Sequence, residues 1–561
     1  MIRTFVTHKI RKNRELSSSL WKFRTLEGEC KDKDMQVMVP SCWETYPETL
    51  RYRGKASYSR EFDAAGNVRL EFKGVSHTVT IFVDGEKVGF HYNAYTPFDV
   101  VLKNLASGKH KLEVIVDNSL GGDSALHVDN DYYSYGGISR GVVMEELEDV
   151  YIQWVHFTPF YKENAWFCKV ETSVSNLSDS TFKGNLTLCL NENVLAVLPV
   201  QLLPEETKII RTEEIACEGV KEWSPETPVL YYISAAISTE ADEVVDDLID
   251  RVGFREVKVV GKDILLNGKK LYIKGFCRHE DHPQFGCALP ASAIQYDLAL
   301  IKDMGGNSVR TAHYPNDEIM LDLCDEQGIL VWEEGHARGL VEEDMRHPLF
   351  EKQSEDCIRE MITAHYNHPS IYIWGIMNEC ASNTEYGQAC YKAQYALIKE
   401  LDSSRPRSSA SCNFKTDICF GFPEVVSFNM YPKWYDDIDI NKYLDSLYGW
   451  IQNDTEGTGK PFLVTEIGAG AIYGYRTPAK VKWSEDYQAQ ALEEQLTGVF
   501  AREDFSGVYI WQFCDVKVSD GWFSGRPRTM NNKGIVDEYR RPKLAYDVVK
   551  KIYHSRTNYQ E

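Results

Sequence analysis

From Gly261 onward the chain repeats one rhythm, a short apolar run followed by a helical pattern and then another apolar run. Eight runs occur: Leu271 to Phe276, Asn307 to Thr311, Ile329 to Trp332, Ile371 to Met377, Ser408 to Cys412, Val425 to Asn429, Phe462 to Thr465 and Val508 to Phe513. Between them lie helix-spaced residues such as Ile294, Leu298 and Ile301, closed by Gly305, and a segment from Ile319 to Leu323 that Asn316 is expected to cap before Gly328. Eight strand–helix units in about 300 residues predict a (β/α)8 TIM barrel over residues 259–561.

Upstream the period changes to two. Val68, Leu70 and Phe72 alternate with polar residues, as do Val79, Ile81 and Val83 before the turn Asp84-Gly85, and Leu112, Val114 and Val116. This predicts an antiparallel, jelly-roll-like β-sandwich over residues 1–150. A second alternating stretch, with Leu186, Leu188, Leu190, Tyr231 and Ile233, has the length of an immunoglobulin-like sandwich and is assigned residues 151–258. The fold class expected is therefore multidomain, β plus α/β.

Charge narrows the function. With 62 basic against 84 acidic side chains the formal net charge is −22, so no basic surface is available for nucleic acid or an anionic membrane. The basic residues near the start are followed by no apolar run, and nowhere do about 20 apolar residues follow one another, so neither export nor a membrane span is expected. Fourteen cysteines without a CxxC pair predict reduced, mostly buried thiols and a cytoplasmic location.

In a barrel of this kind chemistry sits where strands end. The fourth run ends Trp374-Gly375-Ile376-Met377-Asn378-Glu379 and the seventh Thr465-Glu466-Ile467-Gly468, which puts two carboxylates on one rim. Such a pair suits glycoside hydrolysis, one group donating a proton to the leaving oxygen and the other attacking or acting as base. His279, Glu280, Asp281 and His282 with His313 could instead suggest a barrel metallohydrolase, but no HxH pair is present, and no metal or other cofactor is expected. Cys380 follows Glu379 directly, yet a lone Cys is by default a packing residue.

With Asn367-His368-Pro369-Ser370-Ile371-Tyr372-Ile373-Trp374 leading into Asn378-Glu379, and with this domain order, the chain resembles glycoside hydrolase family two. The resemblance implies a retaining double displacement with Glu379 as acid/base and Glu466 as nucleophile, and with Asn378 on the sugar 2-hydroxyl. Glu379 must then hold its proton near neutral pH, which a charged Glu466 would favour. Within the family the likeness is to β-glucuronidases. Asn531-Asn532-Lys533-Gly534 resembles their Asn-x-Lys element, which implies that Asn531 and Lys533 bind a sugar carboxylate. The same likeness implies that Asp131 and His313 contact the sugar, that Tyr431 lies near the nucleophile and Tyr435 near the carboxylate, and that Trp511 forms part of the floor.

One departure concerns substrate choice. Where β-glucuronidases commonly read Glu-Thr-Pro-Ala-Val-Gly, this chain reads Glu334-Gly335-His336-Ala337-Arg338-Gly339. An Arg brings up to five donors, and glucuronate and galacturonate differ only at C4, so Arg338 is expected to read O4 or to draw the carboxylate in a way that admits galacturonides. Pairing of Arg338 with Glu333, Glu342 or Glu343 is the bland alternative. Few residues separate Gly339 from the helix near Cys357, where some bacterial β-glucuronidases carry a long loop over small aglycones, so the likeness implies a more open site that admits bulky or oligosaccharide leaving groups. The expected activity is that of a retaining exo-β-D-hexuronidase on β-linked uronide conjugates or oligosaccharides. The family likeness further implies a homo-oligomer. A strict β-glucuronidase, a neutral-sugar β-galactosidase or β-mannosidase, and a carbohydrate-binding protein with a dead barrel are the alternatives.

Overall fold

The computed structural model describes residues 2–560. Its eight parallel strands Ile273–Cys277, Ser308–Arg310, Leu330–Glu334, Ile371–Asn378, Arg407–Ser411, Val426–Asn429, Phe462–Ile467 and Phe505–Ile510 close into a barrel, the first pairing with the eighth. Helices cover the outside, so these strands are buried on both faces, which explains why their apolar residues run together instead of alternating. The helix Ala291–Asp303 turns Ile294, Leu298 and Ile301 inward. One expectation is corrected. The helix Glu318–Gln327 is capped by Asp317, whose carboxylate accepts from the Ile319 N–H, while Asn316 is buried and accepts from Arg278. Asn and Asp are equally good caps, and the buried guanidinium took the Asn.

The two preceding units are antiparallel. Eight strands between Asn13 and Leu147 form one sheet whose buried side chains, Trp21, Phe23 and Tyr58 among them, make one apolar cluster with Trp43. From Val150 to Val252 two four-stranded sheets face each other across Leu186, Leu188, Ile233, Ala235 and Ile237. This is the immunoglobulin-like sandwich.

Buried charge ties the units together. Arg11 pairs with Glu145 of the first unit and Asp246 of the second, and Arg3 with Asp250 of the second and Asp322 of the barrel. More important for the site, the segment around residues 130–140 is fastened to the barrel. Arg140 donates to Glu280 at 2.8 Å, Tyr135 donates to Asp281 at 3.0 Å, and the Tyr132 hydroxyl lies 3.2 Å from His336 Nε2. Glu280 and Asp281 are thereby spent on interdomain contacts. None of the fourteen cysteines is in a disulfide, and Cys412 is the exposed one.

Candidate active site

The fourth and seventh strands deliver Glu379 and Glu466 to one cavity of about 270 Å³, which Asp131, Arg338, Tyr431, Tyr435, Trp511 and Lys533 also line. That volume lies below the range of drug-sized sites and suits a single sugar ring. A larger cavity of about 670 Å³ lies where the three units meet, but it contains neither strand-end glutamate.

Glu379 leaves its strand in the left-handed region, at φ 52°. A non-glycine residue there costs on the order of 1–3 kcal/mol, and hydrogen bonds on both sides hold it: Glu379 N–H to Ala410 O at 2.8 Å and Asn378 N–H to Ala337 O at 2.9 Å. The turn aims the carboxylate at the cavity, where Asn429 Nδ2 donates to its Oε1 at 3.0 Å.

Glu466 is held differently. Arg310 Nη1 donates to its Oε1 at 2.9 Å and the Tyr431 hydroxyl donates to its Oε2. Burial pushes the Glu466 carboxyl up to about 7, and the charge of Glu379 adds to the shift, while Arg310 and the Tyr431 hydrogen bond oppose it. Glu466 is the more deeply buried of the two, at 5% side-chain exposure against 20% for Glu379. Two carboxyls that share a site titrate as a pair, and Arg310 and Tyr431 are the groups that favour ionised Glu466.

Arg310 and Asn429 were not singled out from the sequence, although both close barrel strands, which was the available signal. Arg310 donates to both oxygens of Glu334, to Glu466, to Asn378 Oδ1 and to Thr465 O. Asn429 donates to Asn378 Oδ1 as well as to Glu379, and accepts from Thr465 Oγ1. A continuous chain of hydrogen bonds therefore runs Glu466–Arg310–Asn378–Asn429–Glu379. With Asn378 Oδ1 accepting twice, its Nδ2 is left buried and without a partner among the described residues. A buried donor in that state costs free energy until a ligand oxygen accepts from it.

Asn378, His313 and Asn531 are buried beside the cavity. His313 stacks on Trp511, with centroids 4.9 Å apart, and its Nδ1 lies 2.9 Å from Glu334. Burial, together with Arg310 and Arg338, holds its imidazole well below the ordinary value, so it is neutral. Asn531 donates to Asp131 at 3.0 Å and accepts from the Lys533 N–H at 3.3 Å. Asp131 is also gripped at 2.7 and 2.6 Å by Arg526, a residue with no signal in the sequence.

Lys533 is only 3% exposed, and no carboxylate pairs with it among the described residues. Its ammonium sits over Tyr431, Trp434 and Tyr435, 5.6 to 5.8 Å from their ring centroids. Aromatic faces compensate a cation only in part, so the site is electrostatically incomplete without an anion. Arg338 also reaches the cavity. It donates to Asn130 Oδ1 at 3.3 Å and lies 3.9 Å from Glu379 Oε2. It does not pair with Glu333, which binds His365, nor with Glu342, which binds Arg346.

The chain is similar to known proteins along its length. Models of glycosyl hydrolases family 2 match in sequence: the sugar binding domain over residues 31–147, the family's middle domain over 150–255 and its TIM barrel domain over 257–558. A crystal structure of a GH2 β-galacturonidase from Eisenbergiella tayi bound to galacturonate is 68% identical and covers 100% of both chains, with a TM-score of 0.99. Among curated relatives, the β-glucuronidase of Paenibacillus borealis is 26% identical over 86% of this chain and 84% of its own length. The putative β-glucuronidase of Formosa agariphila is 28% identical over 92% of this chain, which spans 66% of that longer protein.

Proposed function

Because the chain belongs to glycosyl hydrolases family 2, we propose that it is a retaining exo-β-D-hexuronidase that favours β-galacturonides. The observation that carries the uronide reading is Lys533, a buried ammonium that pairs with no carboxylate among the described residues and lines the cavity that holds Glu379 and Glu466. A uronic acid supplies the missing charge and a neutral hexose does not. The galacturonide preference rests on Arg338, most of whose donors are unspent at the cavity wall, and on the E. tayi protein, a β-galacturonidase similar along the whole chain.

In the proposed reaction Glu466 Oε attacks C1 as the glycosidic C1–O bond breaks, and Glu379 gives its proton to the departing oxygen. The resulting glycosyl ester on Glu466 is hydrolysed by a water whose proton returns to Glu379. This requires carboxyl oxygens about 5 to 5.5 Å apart and releases the β-anomer first. Asn378 Nδ2 would donate to the 2-hydroxyl as oxocarbenium character develops. Neither step calls for a cofactor. Fourteen thiols, most of them buried, support a reducing, cytoplasmic setting for the enzyme.

Side-by-side rates on the 4-nitrophenyl galacturonide and glucuronide test the substrate. Native enzyme should favour the galacturonide, and Arg338→Ala should lower the ratio of the two kcat/KM values by roughly 10- to 100-fold, the cost of an unmet hydroxyl contact. An unchanged ratio overturns the O4 role.

The pH dependence follows from Glu466, which must be ionised to attack. Its carboxyl stands at about 7 with Glu379 charged, so that value marks loss of the pair's last proton, the one Glu379 must donate, and kcat/KM should fall as pH rises through it. Replacing Glu379 with Gln removes both the neighbouring charge and the proton that is lost there, so with a leaving group that needs no acid this alkaline limb should disappear. A 2,4-dinitrophenyl galacturonide, whose leaving group needs no proton, allows the measurement in that variant, and a limb that stays in place would count against the coupling.

A further inference from the structure

Arg338 is unusual among the arginines around the cavity because so few of its donors are used. Arg310 donates to Glu334, Glu466, Asn378 and Thr465 O, and Arg526 clamps both oxygens of Asp131. Among the described residues Arg338 makes one hydrogen bond, the 3.3 Å contact to Asn130, and one loose ion pair at 3.9 Å. A long side chain so lightly tethered loses its orientation unless packing holds it.

Trp522 provides that packing. Its ring centroid lies 5.6 Å from the guanidinium carbon of Arg338 and 5.2 Å from that of Arg526. The indole belongs to the short 3-10 segment Asp520–Gly525, which follows the eighth strand and is anchored to the sandwich. Ser519 N–H donates to Asn130 O at 3.2 Å, Ser519 Oγ accepts from Asn130 N–H at 3.3 Å and donates to Tyr132 O at 3.1 Å. Asn130, the one hydrogen-bond acceptor of Arg338, is thus fixed by the same strap that carries Trp522.

We propose that Trp522 is a specificity-determining positioning residue, holding the Arg338 guanidinium against the cavity wall so that its free donors meet the axial O4 of a galacturonide. The proposal rests on the reading that Arg338 recognises O4. Guanidinium on an indole face is a weak but directional contact, and the rest of the strap's hydrogen bonds do not depend on the indole.

The test is the galacturonide-to-glucuronide ratio of kcat/KM in native protein, Trp522→Leu, Trp522→Phe, Arg338→Ala and the double variant Arg338→Ala/Trp522→Leu. Trp522→Leu should lower the ratio by about 3- to 30-fold, the range a stacked cation contributes, chiefly through KM for the galacturonide. Trp522→Phe, which keeps an aromatic face, should recover most of it. In the Arg338→Ala background the leucine change should leave the ratio where it is. If Arg338→Ala shifts the ratio and Trp522→Leu, folded and active on the glucuronide, does not, the role of Trp522 is overturned while the reading of Arg338 stands. A further drop in the double variant shows that Trp522 acts without Arg338 and also overturns the proposal. If Arg338→Ala leaves the ratio unchanged, the underlying reading itself falls.

Discussion

Glu466→Gln should reduce kcat by about 10⁴-fold or more without unfolding the protein. Glutamine fills the same space and still accepts from Tyr431, and Arg310 keeps both oxygens of Glu334 as a counter-charge. The lost term is the covalent step itself. Glu379→Ala should separate the two roles when azide is added. There the glycosyl ester still forms on activated substrates, and azide, needing no general base, replaces water to give the β-glycosyl azide. In Glu466→Ala the vacated face admits azide directly and the product is the α-glycosyl azide. Product anomers in the opposite order would reverse the two assignments, and a Glu466→Gln variant with near-native kcat would remove Glu466 from the mechanism.

Lys533→Met should lower kcat/KM for the 4-nitrophenyl galacturonide by roughly 10²- to 10³-fold, mostly through KM, as expected for one half of a buried ion pair. The same variant should be no less stable than the native protein. Among the described residues the ammonium pairs with no carboxylate and is sheltered by Tyr431, Trp434 and Tyr435, so an apolar side chain of similar length relieves a desolvation cost. Any slow cleavage of 4-nitrophenyl β-D-galactopyranoside should not fall. If the neutral substrate loses as much as the charged one, Lys533 shapes the cavity and does not read charge. The thermal midpoint, measured beside the kinetics, separates that outcome from simple misfolding.

The barrel was legible because its strands are buried on both faces and so leave unbroken apolar runs, and the two glutamates because they stand where such runs end. Lys533 and Asp131 were recognisable through family likeness alone. Nothing in periodicity marks a lysine after the eighth strand or an aspartate in a sandwich loop. What remained hidden are the contacts that cross the chain. Asp131 and Arg526 lie 395 positions apart, and the Trp522 stack on Arg338 joins two loops with no local pattern of their own. Arg310 and Asn429 stood in plain view at strand ends, but their value lies in the network between the carboxylates, which depends on side-chain directions. The choice of Asp317 over Asn316 as a helix cap was decided by a distant arginine, Arg278, and not by the helix.

One edge of the pocket joins residues far apart in the chain, Asp131 of the sandwich with Arg526 and Asn531, and Lys533 beside them, from beyond the eighth barrel strand. A ribosome that stalls within the last barrel unit therefore releases a chain that can own both glutamates and yet has no finished place for a sugar. Turnover in such a molecule reports on assembly. Whatever loosens the sandwich from the barrel, even with each still folded, should silence the enzyme before any loss of secondary structure is visible.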